Sequence, residues 1–165
     1  VPRVPQTKFP QTVMVFSCVS SEGDVMPPHF FEQGLRLNAD EYISMLNTVV
    51  KPNHVANGRP YVFQQDSAPC HTASKTIKWL AANLNDFTAP NVWPPSSPDL
   101  NAKDYFVWGA VERDTNRTSS NTKAELMVKI RSVFAALPRE TVPRACFRFR
   151  KRVEGVIEAE GGYFE

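Results

Sequence analysis

The stretch Tyr61-Val-Phe-Gln-Gln-Asp-Ser-Ala-Pro-Cys-His71 decides the fold class of this sequence. Residues 61–65 are rich in strand-forming types and predict a strand that ends directly before the carboxylate of Asp66. A helix with one apolar face is predicted to begin near Thr72 or Ser74. A strand followed at once by such a helix is typical of an α/β domain, in which ligand sites gather at the carboxyl ends of strands.

The residues upstream of this stretch predict a hairpin and a helix. Residues 12–20 are apolar and β-branched, and residues 20–24 have turn chemistry before a second extended run over residues 25–32. Pro27 and Pro28 favour a sheet edge or a bulge for that run, because proline cannot donate to a ladder. Asn38 is the predicted cap of a helix that runs to about Lys51, with Glu41 as its capping-box partner.

Downstream, helices predominate. The pattern predicts a short strand over residues 87–93, a proline-rich loop over residues 94–98, and helices that begin at Asp99 or Asn101, at a cap on Asn121, and at about Glu140. The last helix is predicted to end near Glu158. Strands that alternate with helices predict a mixed central sheet flanked by helices, with residues 1–165 forming one domain.

Composition excludes several classes of protein. The 165 residues contain no apolar run of membrane-spanning length and no signal-peptide layout at the start. Three cysteines without C-x-x-C spacing favour reduced thiols over a disulfide framework or a zinc site. A net charge of +2 is too small to indicate nucleic-acid binding by itself. The opening at Val1, in a proline-broken stretch, leads us to expect a piece of a longer polypeptide.

Acidic residues follow the predicted strand at residues 61–65 and the proline-rich loop. Asp66 ends the strand, whereas Asp99 and Asp104 lie at the start of a helix. Each position has an ordinary structural explanation, since aspartate is common in turns and is stabilised by the dipole at a helix N-terminus. The carboxylates alone therefore leave structural and catalytic roles both open.

The two motifs around these acids together resemble the mariner superfamily of DNA transposases. The matching residues are Gln65-Asp-Ser-Ala-Pro-Cys-His71 and Trp93-Pro-Pro-Ser-Ser-Pro-Asp-Leu-Asn101, followed by Asp104. The resemblance covers most of the chain and weakens after about Gly109. It implies a ribonuclease H-like α/β fold, with a mixed central sheet flanked by helices, its first strand missing and extra C-terminal helices.

The resemblance also assigns roles to the acids. Asp66 corresponds to the second catalytic acid and Asp104 to the third, with 37 residues between them. Asp99 competes for the third position but belongs to the loop signature of the family. The family's first acid lies on a strand upstream of Thr12, where this sequence offers no strand-borne carboxylate, and Glu22 and Asp24 fall in the predicted turn instead.

Three residues depart from the family pattern. Ser67 stands where asparagine is usual, Ala102 where proline is usual, and Lys103 brings a positive charge directly before Asp104. These departures leave open an interpretation from a different class, namely a catalytically dead descendant retained as a DNA-binding or interaction module. A ribonuclease H-like nuclease with another substrate is a third possibility, which the loop at residues 93–101 disfavours.

The resemblance implies a metal-dependent reaction on DNA. Asp66 and Asp104 are the expected ligands of Mg²⁺, for which Mn²⁺ can substitute, and the expected reactions are phosphodiester hydrolysis and strand transfer at transposon ends. With only two of three acids, this stretch of chain is not expected to cleave DNA alone. His71 is expected to be a surface or capping residue rather than a ligand.

The expected partners are transposon terminal inverted repeats, target DNA and a second copy of the chain, in the nucleus. Sequence-specific DNA recognition would come from upstream helix-turn-helix modules that these residues do not contain. Arg148, Arg150, Lys151 and Arg152 are candidate DNA contacts, since they alternate with aromatic residues. The alternative is a solvated helix face with Phe147 and Phe149 packed inward.

Overall fold

The computed structural model describes residues 11–51, 59–94 and 96–161, and it begins with the predicted hairpin. Strands β1 (Val15–Phe16) and β2 (His29–Phe30) pair antiparallel, with Val15 opposite Phe30. An isolated bridge joins Val19 to Val25 on the side of the turn. Gly23 sits in that turn with φ +94°, a conformation that side chains rarely adopt, so the turn requires glycine here.

Helix α1 (Ala39–Met45) confirms the predicted helix and its cap. The side-chain oxygen of Asn38 accepts a hydrogen bond from the backbone N–H of Glu41 at 2.9 Å. A π-helical turn, Leu46–Val50, continues α1 to Lys51. The predicted stop at Pro52 lies outside the described residues.

The predicted central sheet is much smaller than expected. Residues 61–65 form no strand, and a single parallel bridge joins Phe63 to Phe87. The N–H of Phe63 donates to the carbonyl of Asp86 at 3.0 Å, and that of Thr88 donates to the carbonyl of Phe63 at 2.9 Å. The chain then turns at residues 90–93, which ends the pairing. Within the described ranges, the hairpin β1–β2 is the only sheet.

The remaining elements are helices and helical turns, and most lie where periodicity predicts a helix, although a short helix at residues 69–72 precedes the start predicted near Thr72 or Ser74. They are α2 (Pro69–Thr72), α3 (Ser74–Asn83), a 3₁₀ turn (Pro98–Leu100), a π turn (Lys103–Val107), α4 (Trp108–Thr115), α5 (Lys123–Ala136) and α6 (Thr141–Glu158). The predicted cap of α5 on Asn121 is wrong by one residue. Thr122 is the cap, because its hydroxyl accepts from the N–H of Glu125 while the Glu125 carboxylate accepts from Thr122 in return.

Two hydrophobic clusters hold the elements together. The first joins α1, its π turn, α2 and α3 through Tyr42, Met45, Leu46, Cys70 and Leu80. The second joins the π turn at residues 103–107, α4 and α5, and its buried members are Val107, Val111, Ile130 and Phe134. Apolar residues of the hairpin pack against the second cluster, so β1 lies against the helices that follow Asp104. In the described part of the chain, no helix has the length and apolar character of a membrane span.

Candidate metal centre

Asp66 lies between the extended segment 61–65 and helix α2, as the sequence predicts. Its Oδ1 atom accepts a hydrogen bond from the backbone N–H of Ala68 at 3.0 Å. The same oxygen lies 2.5 Å from Nδ1 of His71. About half of the Asp66 side chain is exposed, so the carboxylate is fixed in orientation yet open to solvent on one side.

His71 is neither a surface residue nor a simple helix cap. Its side chain is only 15% exposed, and its ring lies 4.3 Å from that of Tyr42, centroid to centroid. An ionised carboxylate can only accept hydrogen bonds, so Nδ1 of His71 is the donor and Oδ1 of Asp66 is the acceptor. The expected surface role is therefore wrong, and His71 holds Asp66 in place.

Tyr42 and Gln65 extend this arrangement into the core. The Tyr42 hydroxyl donates to Oε1 of Gln65 at 2.9 Å, and Nε2 of Gln65 donates to the carbonyl of His71 at 3.1 Å. Both Tyr42 and Gln65 are buried. These hydrogen bonds position His71, and through His71 the network orients Asp66 from the protein interior.

The pKa of Asp66 reflects these contacts. The hydrogen bond from His71 lowers the pKa below the usual aspartate range, and the Ala68 N–H acts in the same direction, while partial burial opposes both. Because the pKa of Asp66 is lower in the folded state, the ionised carboxylate stabilises the folded protein at pH values above its pKa in the unfolded chain. That contribution is lost as the pH falls through the folded-state pKa.

Asp104 lies at the start of the π turn Lys103–Val107, where Asn101 organises the backbone. The carbonyl of Asn101 accepts from the N–H groups of Asp104 at 2.9 Å and Tyr105 at 3.0 Å. The side-chain oxygen of Asn101 also accepts from the N–H of Lys103 at 3.1 Å. Asn101, the last residue of the loop signature, therefore sets the backbone that carries Asp104.

The pKa of Asp104 shifts in the opposite direction from that of Asp66. Partial burial raises the pKa, and the negative charge of Asp66 raises it further, whereas Lys103 lowers it. The two carboxylates are thus close enough for the charge of one to oppose ionisation of the other. A divalent cation between them would relieve that repulsion, and carboxylate oxygens are the ligands that Mg²⁺ and Mn²⁺ prefer.

Two interactions connect the acid-bearing segments to each other and to the sheet. Nε2 of Gln64 donates to the carbonyl of Leu100 at 3.4 Å, which joins the Asp66 segment to the loop before Asp104. Nζ of Lys103 donates to the carbonyl of Ser17 at 2.5 Å, next to β1. Among the described residues, no group of three His, Cys, Asp or Glu side chains could hold a metal ion. The metal-binding role of Asp66 and Asp104 stays a prediction.

Helix α6 packs against the proline-rich loop. The ring of Trp93 stacks on that of Phe149 with centroids 6.4 Å apart and planes 4° from parallel. The Arg152 guanidinium donates to the backbone carbonyl of Asp99 at 3.2 Å and lies 4.2 Å from the centre of the Tyr105 ring. These contacts hold the loop signature and the residue after Asp104 against α6.

The four candidate DNA contacts separate into two groups. Arg148 and Lys151 are exposed, and exposed Arg150 is paired with Glu154 at 3.1 Å. Arg152 instead faces the loop. Phe149 packs inward as the alternative predicts, but Phe147 is 78% exposed beside the basic residues.

We expect Arg152→Met to lower the free energy of unfolding by about 1 to 2 kcal/mol, because it removes a charge-assisted hydrogen bond from a half-buried position. Urea denaturation measures this change. Lys151→Met is the control in the same helix, and an exposed substitution of this kind changes stability by less than about 0.5 kcal/mol. Equal effects of the two substitutions would contradict a loop-binding role for Arg152.

We expect His71→Phe to raise the pKa of Asp66, because phenylalanine keeps the ring packing on Tyr42 but cannot donate a hydrogen bond. Carboxyl carbon NMR titration measures this pKa. The variant should also lose less stability than the wild type on acidification below pH about 4, the ordinary aspartate range. His29→Phe is the control, since His29 packs on Phe31 through an edge contact. An unchanged Asp66 pKa in His71→Phe would show that the His71 contact does not stabilise the ionised carboxylate.

The comparisons with known proteins agree with the site motifs. No family model matches the sequence. The chain is 28% identical over 151 residues to the Tcb2 transposase of Caenorhabditis briggsae and 27% identical over 154 residues to the Tc1 transposase of Caenorhabditis elegans. Each alignment covers 91% of this chain and 53% of the relative, so the chain spans about half the length of these relatives.

Solved structures give the same result for the fold. The catalytic domain of Mos1 mariner transposase superposes with a TM-score of 0.78 at 21% identity, over 93% of this chain and 76% of that one. A Mos1 paired-end complex with the left transposon end gives a TM-score of 0.82 at 21% identity, over the whole of this chain and 48% of that one. The match to the Mos1 catalytic domain supports the ribonuclease H-like fold expected from the sequence, although the described sheet has only two strands. The absence of a first strand stays a prediction.

Proposed function

We propose that this chain, a mariner-superfamily transposase catalytic domain by its relatives and its fold, cuts and joins DNA at transposon ends in the context of its full-length protein. The observation that carries the proposal is the pair Asp66 and Asp104. Each lies directly in or after a motif of the family, and the charge of one acts on the other.

The proposed cofactor is Mg²⁺, with Mn²⁺ as a substitute. The Mos1 catalytic domain has been solved with raltegravir and either metal, and the donor set here consists of hard oxygens. Bound divalent ions supply activation of water or a 3′-hydroxyl and stabilisation of charge on the phosphate. Asp66 and Asp104 would hold the metal, while His71 orients the Asp66 carboxylate and Asn101 holds the backbone at Asp104.

A third acidic ligand would complete the site. We place it on a strand ahead of Thr12, as the resemblance implies, because Glu22 lies in the described hairpin turn and Asp24 bonds the Ser20 hydroxyl there. Two carboxylates alone repel each other and leave most metal positions to water. This domain by itself is therefore proposed to lack cleavage activity, and upstream helix-turn-helix modules are proposed to recognise the DNA ends.

The proposed partners are DNA, including terminal inverted repeats and target DNA, and a second copy of the protein, in the nucleus. Mos1 structures with DNA include a paired-end complex with the left transposon end and a strand transfer complex. On this chain, the exposed residues Arg148 and Lys151 with neighbouring Phe147 offer charge and an aromatic surface. Arg150 can join them when it leaves Glu154.

The dead-descendant interpretation is not favoured, because the relatives and the structural neighbours are transposases. The test is a cleavage assay with the full-length protein, a plasmid that carries the element's inverted repeats, and Mg²⁺. We expect excision that EDTA abolishes and no excision by residues 1–165 alone. Failure of the full-length protein to cut with either Mg²⁺ or Mn²⁺ would favour the dead descendant.

A further inference from the structure

Lys103 is the most unusual residue of the site, because its side chain runs inward from the turn that carries Asp104. Nζ donates to the carbonyl of Ser17 at 2.5 Å, across 86 residues of sequence. The same atom lies 5.0 Å from the centre of the Phe16 ring and 5.2 Å from that of Trp108. A hydrogen bond and two aromatic faces thus hold the ammonium group in one place.

The position of this ammonium group matters because of its neighbours. Lys103 directly precedes Asp104 in the same turn, and its positive charge acts to lower the pKa of both Asp66 and Asp104. Its contacts with Ser17 and the two rings keep it turned into the protein rather than out in solvent, where it could reach a DNA phosphate. The cation is therefore part of the site in the absence of any ligand.

We propose that Lys103 is an internal cation of the metal site, which offsets part of the negative charge of Asp66 and Asp104 and thereby weakens their hold on a divalent metal. This inference rests on the proposed function, since it concerns the same two ligands. Its physical basis is that a fixed positive charge near a metal site repels a divalent cation while it stabilises the metal-free carboxylates.

The test measures Mn²⁺ binding to residues 1–165. The electron paramagnetic resonance signal of the free ion reports binding during the titration. We expect Lys103→Gln, which keeps a hydrogen-bond donor without the charge, to bind Mn²⁺ about three to ten times more tightly than the wild type. Lys103→Arg keeps both charge and donor and should bind like the wild type. Lys103→Met removes charge and donor together, and its affinity should also rise.

Lys129→Gln is the matched control. Nζ of Lys129 also donates to backbone carbonyls, those of Thr118 and Ser119 at 2.8 Å each, but it lies on α5 and acts on neither aspartate. Its removal should leave Mn²⁺ affinity unchanged. Thermal melting provides a second readout, because tighter binding to the folded state should give Lys103→Gln a larger rise in Tm with Mn²⁺ than the wild type.

The outcomes separate this inference from the proposed function. If the wild type binds Mn²⁺ through the aspartates but folded Lys103→Gln and Lys103→Met bind no more tightly, the role of Lys103 is wrong and the metal site stands. If none of the proteins binds Mn²⁺ more tightly than Asp104→Asn does, the proposed metal site fails and the inference fails with it. Tighter binding by Lys103→Arg as well would also contradict the inference, since that variant keeps the charge.

Discussion

Replacing Asp66 with asparagine should lower DNA cleavage by the full-length protein more than about a hundredfold. Residues that only hydrogen-bond to metal ligands contribute up to about a hundredfold to metal affinity or activity, and a ligand itself should contribute more. Asparagine keeps the shape of the side chain and can still accept from the Ala68 N–H, so the loss would reflect charge and metal binding. Cleavage of an end-bearing plasmid with Mg²⁺ measures it. Mn²⁺ binding should fall in parallel.

Asp99→Asn is the control for this substitution. Asp99 lies in the motif at residues 93–101, shortly before Asp104. Its described contact is the hydrogen bond from Arg152 to its backbone carbonyl, which asparagine retains. We expect activity within a few-fold of the wild type. A loss with Asp99→Asn as large as that with Asp104→Asn would make Asp99 the third acid and would overturn the assignment made from the family pattern.

Leu80→Ala should lower the free energy of unfolding by about 2 to 5 kcal/mol, the range for truncating a buried leucine. Leu80 is fully buried in α3, within the cluster that contains Tyr42 and Cys70. Guanidinium denaturation of residues 1–165 measures the change. Because Tyr42 belongs to this cluster and bonds Gln65 in the network that orients Asp66, the variant should also bind Mn²⁺ more weakly.

Val128→Ala provides the control, since Val128 lies in α5 with 62% of its surface exposed. Its substitution should change the stability by less than about 0.5 kcal/mol. If Leu80→Ala cost less than about 1 kcal/mol, the first cluster would not be the core that supports the Asp66 segment.

Local chemistry made much of this molecule predictable. The cap on Asn38, the turn before Asp24 and the helix that begins after Glu140 follow from short-range hydrogen bonds and periodicity, and the structure contains each. The sheet was less predictable because a strand requires a ladder partner. Residues 61–65 have the composition of a strand, yet Phe63 pairs only with the segment around Phe87.

The supporting contacts of the site lay beyond the sequence patterns. The motif contains His71 five residues after Asp66, but only the fold shows that its ring turns back onto the carboxylate. Lys103 and Ser17 are far apart in sequence, and Arg152 reaches Asp99 from another helix. Such contacts depend on packing rather than on local propensity. The basic pattern around Arg152 predicted a DNA contact for this residue, whereas its guanidinium bonds the backbone of Asp99.

The measurement that tests the central claim most directly is a crystal structure of residues 1–165 with Mn²⁺, with anomalous diffraction to locate the metal. We predict one anomalous peak within about 2.5 Å of a carboxylate oxygen from both Asp66 and Asp104. The Asp66 carboxylate should remain in contact with His71, and the backbone N–H of Asp104 should remain bonded to the carbonyl of Asn101. Carboxylates more than about 10 Å apart, with no metal between them, would contradict a shared site, because ligand oxygens lie near 2 Å from the ion.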